Sequence, residues 1–304
     1  MEITISRPYS FIQLGRRKNQ EDARFPDVDS PESGKTAFVV CDGVGGQDKG
    51  EVASRIVADT IGKAMNGYDL NKPFGCKEFS RVLEKTYQAL NSAATRENRD
   101  MATTMTFVCF HGGGVFAAHV GDSRIYQIRP GEGVIFRSDD HSLVNALVHS
   151  GNITPEQAEN HPQSNVITRC LSPSSGDSLT QASTLQITDV KPRDYFFLCT
   201  DGVEHCVDES TLCDILATDR SDREKMDTIA KLSANSSDNN TAYLIRVADV
   251  KGDSSPADAT TDDNQNGSSD TVIIDVPLET VRETDAKVQN SFGSRISDFL
   301  NKWF

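Results

Sequence analysis

The sequence has no run approaching the roughly 18 consecutive apolar residues that a membrane-crossing helix requires, so no transmembrane segment is expected. Its first residues, MEITISRPYSFIQLG, lack the basic stretch and apolar core of a secretory leader, and a cytoplasmic location is expected. Cysteine is sparse: there are seven, an odd number, with no CxxC and no Cys/His cluster. That pattern argues against a disulfide framework and against a zinc site of ordinary spacing. Cys41, Cys109 and Cys199 lie in apolar runs, as buried reduced thiols do. Positive charge is also short, with 31 Lys+Arg against 45 Asp+Glu and a formal net charge of −14. Such a balance argues against nucleic acid or an anionic membrane as partner. It leaves acidic groups available to hold cations.

What is present is enough for a sizeable core. Hydrophobic residues make up 37% of 304 positions, and mixed α and β architectures often run to about 250 residues as one unit. Apolar runs alternate with turn signals over residues 1–250, which is read as one domain. Residues 251–270, KGDSSPADATTDDNQNGSSD, contain almost nothing to bury and read as a disordered linker. Residues 271–304 read as a short strand, TVIIDVP, followed by an amphipathic helix. Its apolar positions Phe292, Ile296, Phe299, Leu300 and Trp303 fall on one face, which would dock on its own domain or on a partner.

Within residues 1–250, AFVVC, TMTFVCF, VFAAHVG, RIYQI, GVIFR, YFFLCT and AYLIRV read as strands, several joined as hairpins. The 3.6-residue period predicts helices over 50–65, 79–98 and 142–151. This interspersion favours an α+β fold, a mainly antiparallel sheet core flanked by helices. Three aspartates sit at strand ends: Asp42 after AFVVC, Asp201 after YFFLCT and Asp238 before AYLIRV. In an antiparallel sheet the end of one strand lies beside the start of its neighbour, so these carboxylates can meet at one edge. Clustered carboxylates repel unless cations sit between them, and oxygen-only ligands select hard ions such as Mg²⁺ or Mn²⁺. Taken singly, each Asp-Gly is an ordinary turn signal.

Seven segments, in order, resemble the protein phosphatase 2C family of metal-dependent protein phosphatases in its bacterial form. They are GRRKNQEDA (15–23), VCDGVGGQDKGEVAS (40–54), TTMT (103–106), HVGDSRIYQI (119–128), a stretch over 140–171, LCTDG (198–202) and DNNT (238–241). The resemblance implies a four-layer α/β/β/α sandwich of two antiparallel sheets flanked by helices. It implies a protein-serine/threonine phosphatase that hydrolyses phosphoserine and phosphothreonine with a water activated between two metals, opposing a Ser/Thr kinase. Two Mn²⁺ or Mg²⁺ ions are implied, with a weaker third. By position, Asp42 would bridge the metals, Gly43 would lend its carbonyl, and Asp201 and Asp238 would complete one shell. Glu21 and Asp22 would act at or near the second metal, Asp122 at the third, and Arg17 on the substrate phosphate. Asn165, Thr168 and Arg169 would belong to a flap beside the cleft. Val44 stands where many eukaryotic members carry histidine, so the leaving-group acid is expected to be a metal-bound water rather than any of the six histidines. His119, His141, His149, His161 and His205 are read as structural or surface residues.

Overall fold

The computed structural model describes residues 1–252 except 33, 35, 45–48, 96–98, 160 and 175–178. The expected linker, terminal strand and terminal helix lie almost wholly outside the described residues. None of the described helices is long and apolar enough to cross a membrane.

The strands are β1 (Glu2–Ile5), β2 (Tyr9–Gln13), β3 (Ala23–Phe25), β4 (Ala37–Cys41), β5 (Gly43–Val44), β6 (Ala102–Thr103) and β7 (Met105–His111). They continue with β8 (Gly114–Val120), β9 (Arg124–Arg129), β10 (Gly133–Arg137), β11 (Ser183–Ile187), β12 (Tyr195–Cys199) and β13 (Asn240–Lys251). Helices α1 (Gly50–Met65) and α2 (Cys76–Ala93) precede β6, and α3 (Leu143–His149) and α4 (Pro155–Glu159) precede β11. Helices α5 (Asp201–Glu204), α6 (Glu209–Ala217) and α7 (Asp222–Ser233) lie between β12 and β13.

Two large antiparallel sheets result, with a short β5-β6 pair beside them. One runs β1-β13-β12-β9-β10 with β2 also on β13; the other runs β11-β8-β7-β4-β3. Side chains alternate across each strand, and both faces are covered. Phe38 and Val40 of β4, Val108 and Phe110 of β7, and Phe196 and Leu198 of β12 fill the space between the sheets. Their neighbours Val39, Cys41, Phe107 and Cys109 point the other way, onto Val57 and Ile61 of α1 and Phe79 and Val82 of α2. On the far side, Tyr195, Phe197 and Cys199 meet Leu212 and Leu216 of α6 and Met226 and Ile229 of α7. Strands buried on both faces read as continuous apolar runs, which is why AFVVC and YFFLC show no alternation. The four-layer α/β/β/α sandwich is therefore observed.

Some local expectations shift. The 79–98 helix covers Cys76–Ala93 and the 142–151 helix covers Leu143–His149. Asp201 opens a helical turn rather than a loop. β13 continues through Lys251, one residue into the expected linker, because β1 pairs with it as far as Glu2↔Lys251. All seven cysteines are free; Cys41, Cys109 and Cys199 are buried as expected, whereas Cys76 and Cys206 are exposed.

Phe196 is fully buried and meets Phe110 edge-on at 5.2 Å between centroids. Phe196→Ala is expected to cost about 3–5 kcal/mol, read as a lower urea midpoint with an unchanged denaturant slope. A loss under about 1 kcal/mol would contradict this packing of the two sheets.

Candidate active site

The acidic positions come together because four strand ends do. β12 and β13 pair antiparallel with Cys199 opposite Ala242, so Asp201, just past β12, faces Asp238, just before β13. β9 starts beside the end of β12, with Arg124 opposite Cys199, and Asp122 sits immediately before it. From the second sheet, β4 delivers Asp42. Its backbone N–H donates to Thr104 Oγ1 at 2.9 Å, and its carbonyl accepts from Thr103 Oγ1 at 2.8 Å. A cleft of about 560 Å³ is lined by Arg17, Glu21, Asp42, Gly43, Val44, Asp122, Asn165, Ile167, Asp201, His205, Ser237 and Asp238.

Most of the expected residues therefore share one cavity. Asp22 does not line it; it is buried behind, where its Oδ2 accepts from Thr200 Oγ1 at 3.0 Å. Of the flap positions, Asn165 reaches the cleft. The Thr168 backbone N–H donates to the His141 carbonyl at 2.7 Å, and an Arg169 guanidinium nitrogen lies 3.4 Å from His141 Nε2. Arg17 donates to Asp238 Oδ2 at 2.5 Å, an ion pair at the rim. Gly43 is demanded by space: a Cβ there would lie 2.4 Å from the Gly50 backbone and 2.6 Å from the Glu21 carbonyl oxygen.

Several partners were not singled out in the sequence. Asn239 accepts from the Glu21 N–H at 2.8 Å and donates to the Leu14 and Asn19 carbonyls at 2.9 and 3.0 Å. It thereby ties the segment bearing Arg17 and Glu21 to the start of β13. The signal was there in DNNT, next to Asp238. Arg124 binds both oxygens of Asp140, at 2.7 and 2.6 Å, and Glu204 at 2.9 Å. His205 lines the cleft and is not merely a surface residue; the turn of α5 brings it back beside Asp201. His141 stacks on His119 at 4.5 Å and accepts from the Gly121 N–H at 3.1 Å, a structural role as expected.

The electrostatics are those of uncompensated acid. Burial, then repulsion from Asp22, Asp201, Asp122 and Asp238, hold the Asp42 carboxyl well above the usual range. Burial first and Asp201 second push Asp122 up to about 7. Burial pushes Asp22 up to about 8, against the Thr241 and Thr200 hydroxyls. Oδ1 of Asp22 and Oδ1 of Asp201 are buried without a hydrogen-bond partner among the described residues. Burial pushes the Cys41 and Cys199 thiols well up, so neither offers a thiolate nucleophile.

Residues 15–242 match the protein phosphatase 2C family model. The chain belongs to the protein phosphatase 2C family. It is 31% identical over 223 residues to the protein phosphatase PhpP of Streptococcus pneumoniae, covering 71% of this chain and 87% of that one. The crystal structure of the Mycobacterium tuberculosis serine/threonine phosphatase PstP/Ppp superposes with a TM-score of 0.68 at 26% identity, covering 80% of this chain and 99% of that one. A structure of the catalytic domain of PstP in complex with two manganese ions gives a TM-score of 0.65 at 25% identity, covering 82% and 100%. Such neighbours fit the two-sheet sandwich.

A carboxyl whose folded pKa is raised favours the folded state most below its unfolded value, near 4. That contribution is lost as pH climbs through the folded value. In EDTA the melting temperature should therefore fall between pH 5 and pH 9, the window set by Asp122 near 7 and Asp22 near 8. Asp122→Asn should flatten part of the fall. A melting temperature that rises over this window, with no difference between the two proteins, would show that these groups ionise without cost.

Proposed function

We propose that this chain is a metal-dependent protein-serine/threonine phosphatase that uses two divalent ions, Mn²⁺ or Mg²⁺, with a third held more weakly. One observation carries the reading. Glu21, Asp42, Asp122, Asp201 and Asp238 line a single cleft with Arg17 as the one cationic guanidinium there, among the described residues. Carboxylates so placed either protonate or hold cations. The donor set is oxygen only, which suits hard ions. The bare Oδ1 atoms of Asp22 and Asp201 are acceptors still wanting a partner. As they stand, no three described side chains enclose a metal position. The fit rests on donor chemistry and on the shared cleft.

The residues take the following roles. Asp42, at the end of β4, would be shared by the two ions, and the Gly43 carbonyl would join it where no side chain fits. Asp201 and Asp238 would hold one ion from the β12–β13 edge. Glu21 and Asp22 would serve the other, Asp22 from behind through its Oδ1. Asp122 would hold the weaker third ion with Asp201. Bound divalent ions supply a water acidic enough to act near neutral pH. Arg17 presents a planar fork to the phosphate oxygens; its present bond to Asp238 keeps it at the rim. Asn165 faces the entering substrate, with Thr168 and Arg169 behind it. The substrates are phosphoproteins, products of an opposing Ser/Thr kinase in the cytoplasm. With Val44 in the turn, no side chain there can protonate the leaving group, and His205 is the described histidine that lines the cleft.

Aryl phosphate hydrolysis with Mn²⁺ should vanish in EDTA, and Asp201→Asn should lower kcat/KM on the order of 100-fold. Activity that survives both would refute the two-metal reading. His205→Gln should leave kcat within roughly threefold; a loss of 100-fold with aryl phosphates would make it the acid instead. Ending the chain at Gly252 should leave this activity within about twofold, since the described fold closes there. Loss of all activity would place residues 253–304 in the catalytic unit.

A further inference from the structure

The β12–β13 pair carries a second feature at its opposite end. A pocket of about 410 Å³ there is lined by Arg7, Arg193, Arg220, Lys225 and Arg246, with Asp219 and Asp222 as its acids. It shares no lining residue with the catalytic cleft. Tyr195 pairs with Arg246 at this end, whereas Cys199 pairs with Ala242 beside Asp201. Tyr195 and Asp201 are six positions apart, roughly 20 Å of extended chain.

The pocket is net positive in a chain whose formal charge is −14. Asp222 is already engaged, accepting from Arg246 Nε and the Tyr195 hydroxyl, each at 2.7 Å. Among the described residues, no carboxylate lies within ion-pair distance of Arg193, Arg220 or Lys225. Lys225 is only 4% exposed. It donates to Tyr195 Oη and the Leu216 carbonyl, both at 2.9 Å, and its third N–H has no acceptor among the described residues. Burial lowers its pKa; Asp222 pulls the other way, and the facing charges of Arg246 and Arg193 lower it further. Arg193, Arg220 and Lys225 thus stand beside the Arg246–Asp222 pair without a carboxylate partner of their own among the described residues.

Arg193 adds an independent sign. Its φ of 77° is the one left-handed backbone conformation among the described non-glycine residues. Glycine or asparagine would adopt it at less cost. Arg193 thus combines an unfavourable backbone conformation with a place in the lining of a cation-rich cavity, and strain of this kind clusters at ligand sites.

We propose that this pocket is an accessory phosphate site, separate from the catalytic cleft. Its Arg193 and Arg220 guanidinium groups and the spare Lys225 donor, beside the Arg246 that Asp222 holds, line one cavity and would meet a single dianionic group there. A phosphate, with three acceptor oxygens and nearly two charges, satisfies such a set better than a carboxylate does. The same chemistry arises from free inorganic phosphate or from a second phosphoryl group on a multiply phosphorylated protein. The second source rests on the phosphatase reading; the first does not.

The test compares the native full-length chain with an Arg193→Gly/Arg220→Ala variant. Neither residue lines the catalytic cleft, and glycine relieves the left-handed backbone, so the fold should be kept. In the first arm both proteins are melted in EDTA with inorganic phosphate from 0 to about 20 mM at constant ionic strength. Phosphate should raise the native melting temperature by a few degrees and the variant's by much less. In the second arm, peptides carry one phosphothreonine, or two about ten residues apart, a spacing long enough to span both sites. The native KM should be about tenfold lower for the doubly phosphorylated peptide, and this gap should close in the variant, with kcat and aryl phosphate hydrolysis unchanged. A changed melting response together with the KM gap assigns the site to substrate. A changed melting response without it assigns the site to free phosphate. Equal phosphate responses of the two proteins overturn the proposal whatever the peptides show. The melting arm needs no catalysis, so an inactive chain would sink the phosphatase reading and leave this one standing.

Discussion

Like charges forced together at a sheet edge are the constraint around which this molecule is built. Asp42, Asp122, Asp201 and Asp238 are fixed by backbone that cannot move apart, because each flanks the end of a strand paired deep in the sandwich. Water is partly withheld from them, and their mutual repulsion raises the pKa of Asp42, Asp122 and Asp201 beyond what burial does. A folded domain gains nothing in stability from such an arrangement. Its sense lies in what neutralises it, and an oxygen-lined, anionic cleft attracts small hard cations.

The rest of the fold keeps that arrangement from relaxing. Thr103 and Thr104 grip the backbone of Asp42 from β6 and the neighbouring loop. Asn239 fastens the Arg17–Glu21 segment to the start of β13, linking parts of the chain more than 200 residues apart. Arg124 pairs with both Asp140 and Glu204, so these two acids are already neutralised. At Gly43 and Gly202 two backbones approach so closely that a Cβ would sit 2.4 Å and 1.9 Å from its neighbours. Close approach of this kind is what a glycine permits and any other residue forbids.

Much of this was legible in the sequence. The apolar runs of β4, β7, β8 and β12 marked the sandwich core, and helix α1 lies where its period placed it. Strand polarity brought Asp42, Asp201 and Asp238 to one edge, and the motif order supplied the rest of the cleft. What escaped was carried by tertiary pairing. β1, β2 and β3 are short and gain their form from β13 and β4. α7 was overlooked although Ser221 and Glu224 form a capping box, a pattern readable in SDRE. The position of Asp22 behind the cleft could not be read, since Glu21 and Asp22 precede β3 in irregular chain and only tertiary partners such as Thr200 fix which way each side chain points. His205 lay outside any ligand spacing, and only the short α5 turn returns it to Asp201. The cation pocket drew on residues from five separate segments, none with a motif of its own.

Cations held by repelling carboxylates, with Asp42 among them, are the centre of this site. Counting bound Mn²⁺ by equilibrium dialysis tests this without reference to any substrate. The native chain should bind about two ions tightly, as expected for a paired-metal site, and Asp42→Asn should lose both together while the protein stays folded by circular dichroism. Full Mn²⁺ occupancy in Asp42→Asn, or no tight binding by the native chain, would contradict it.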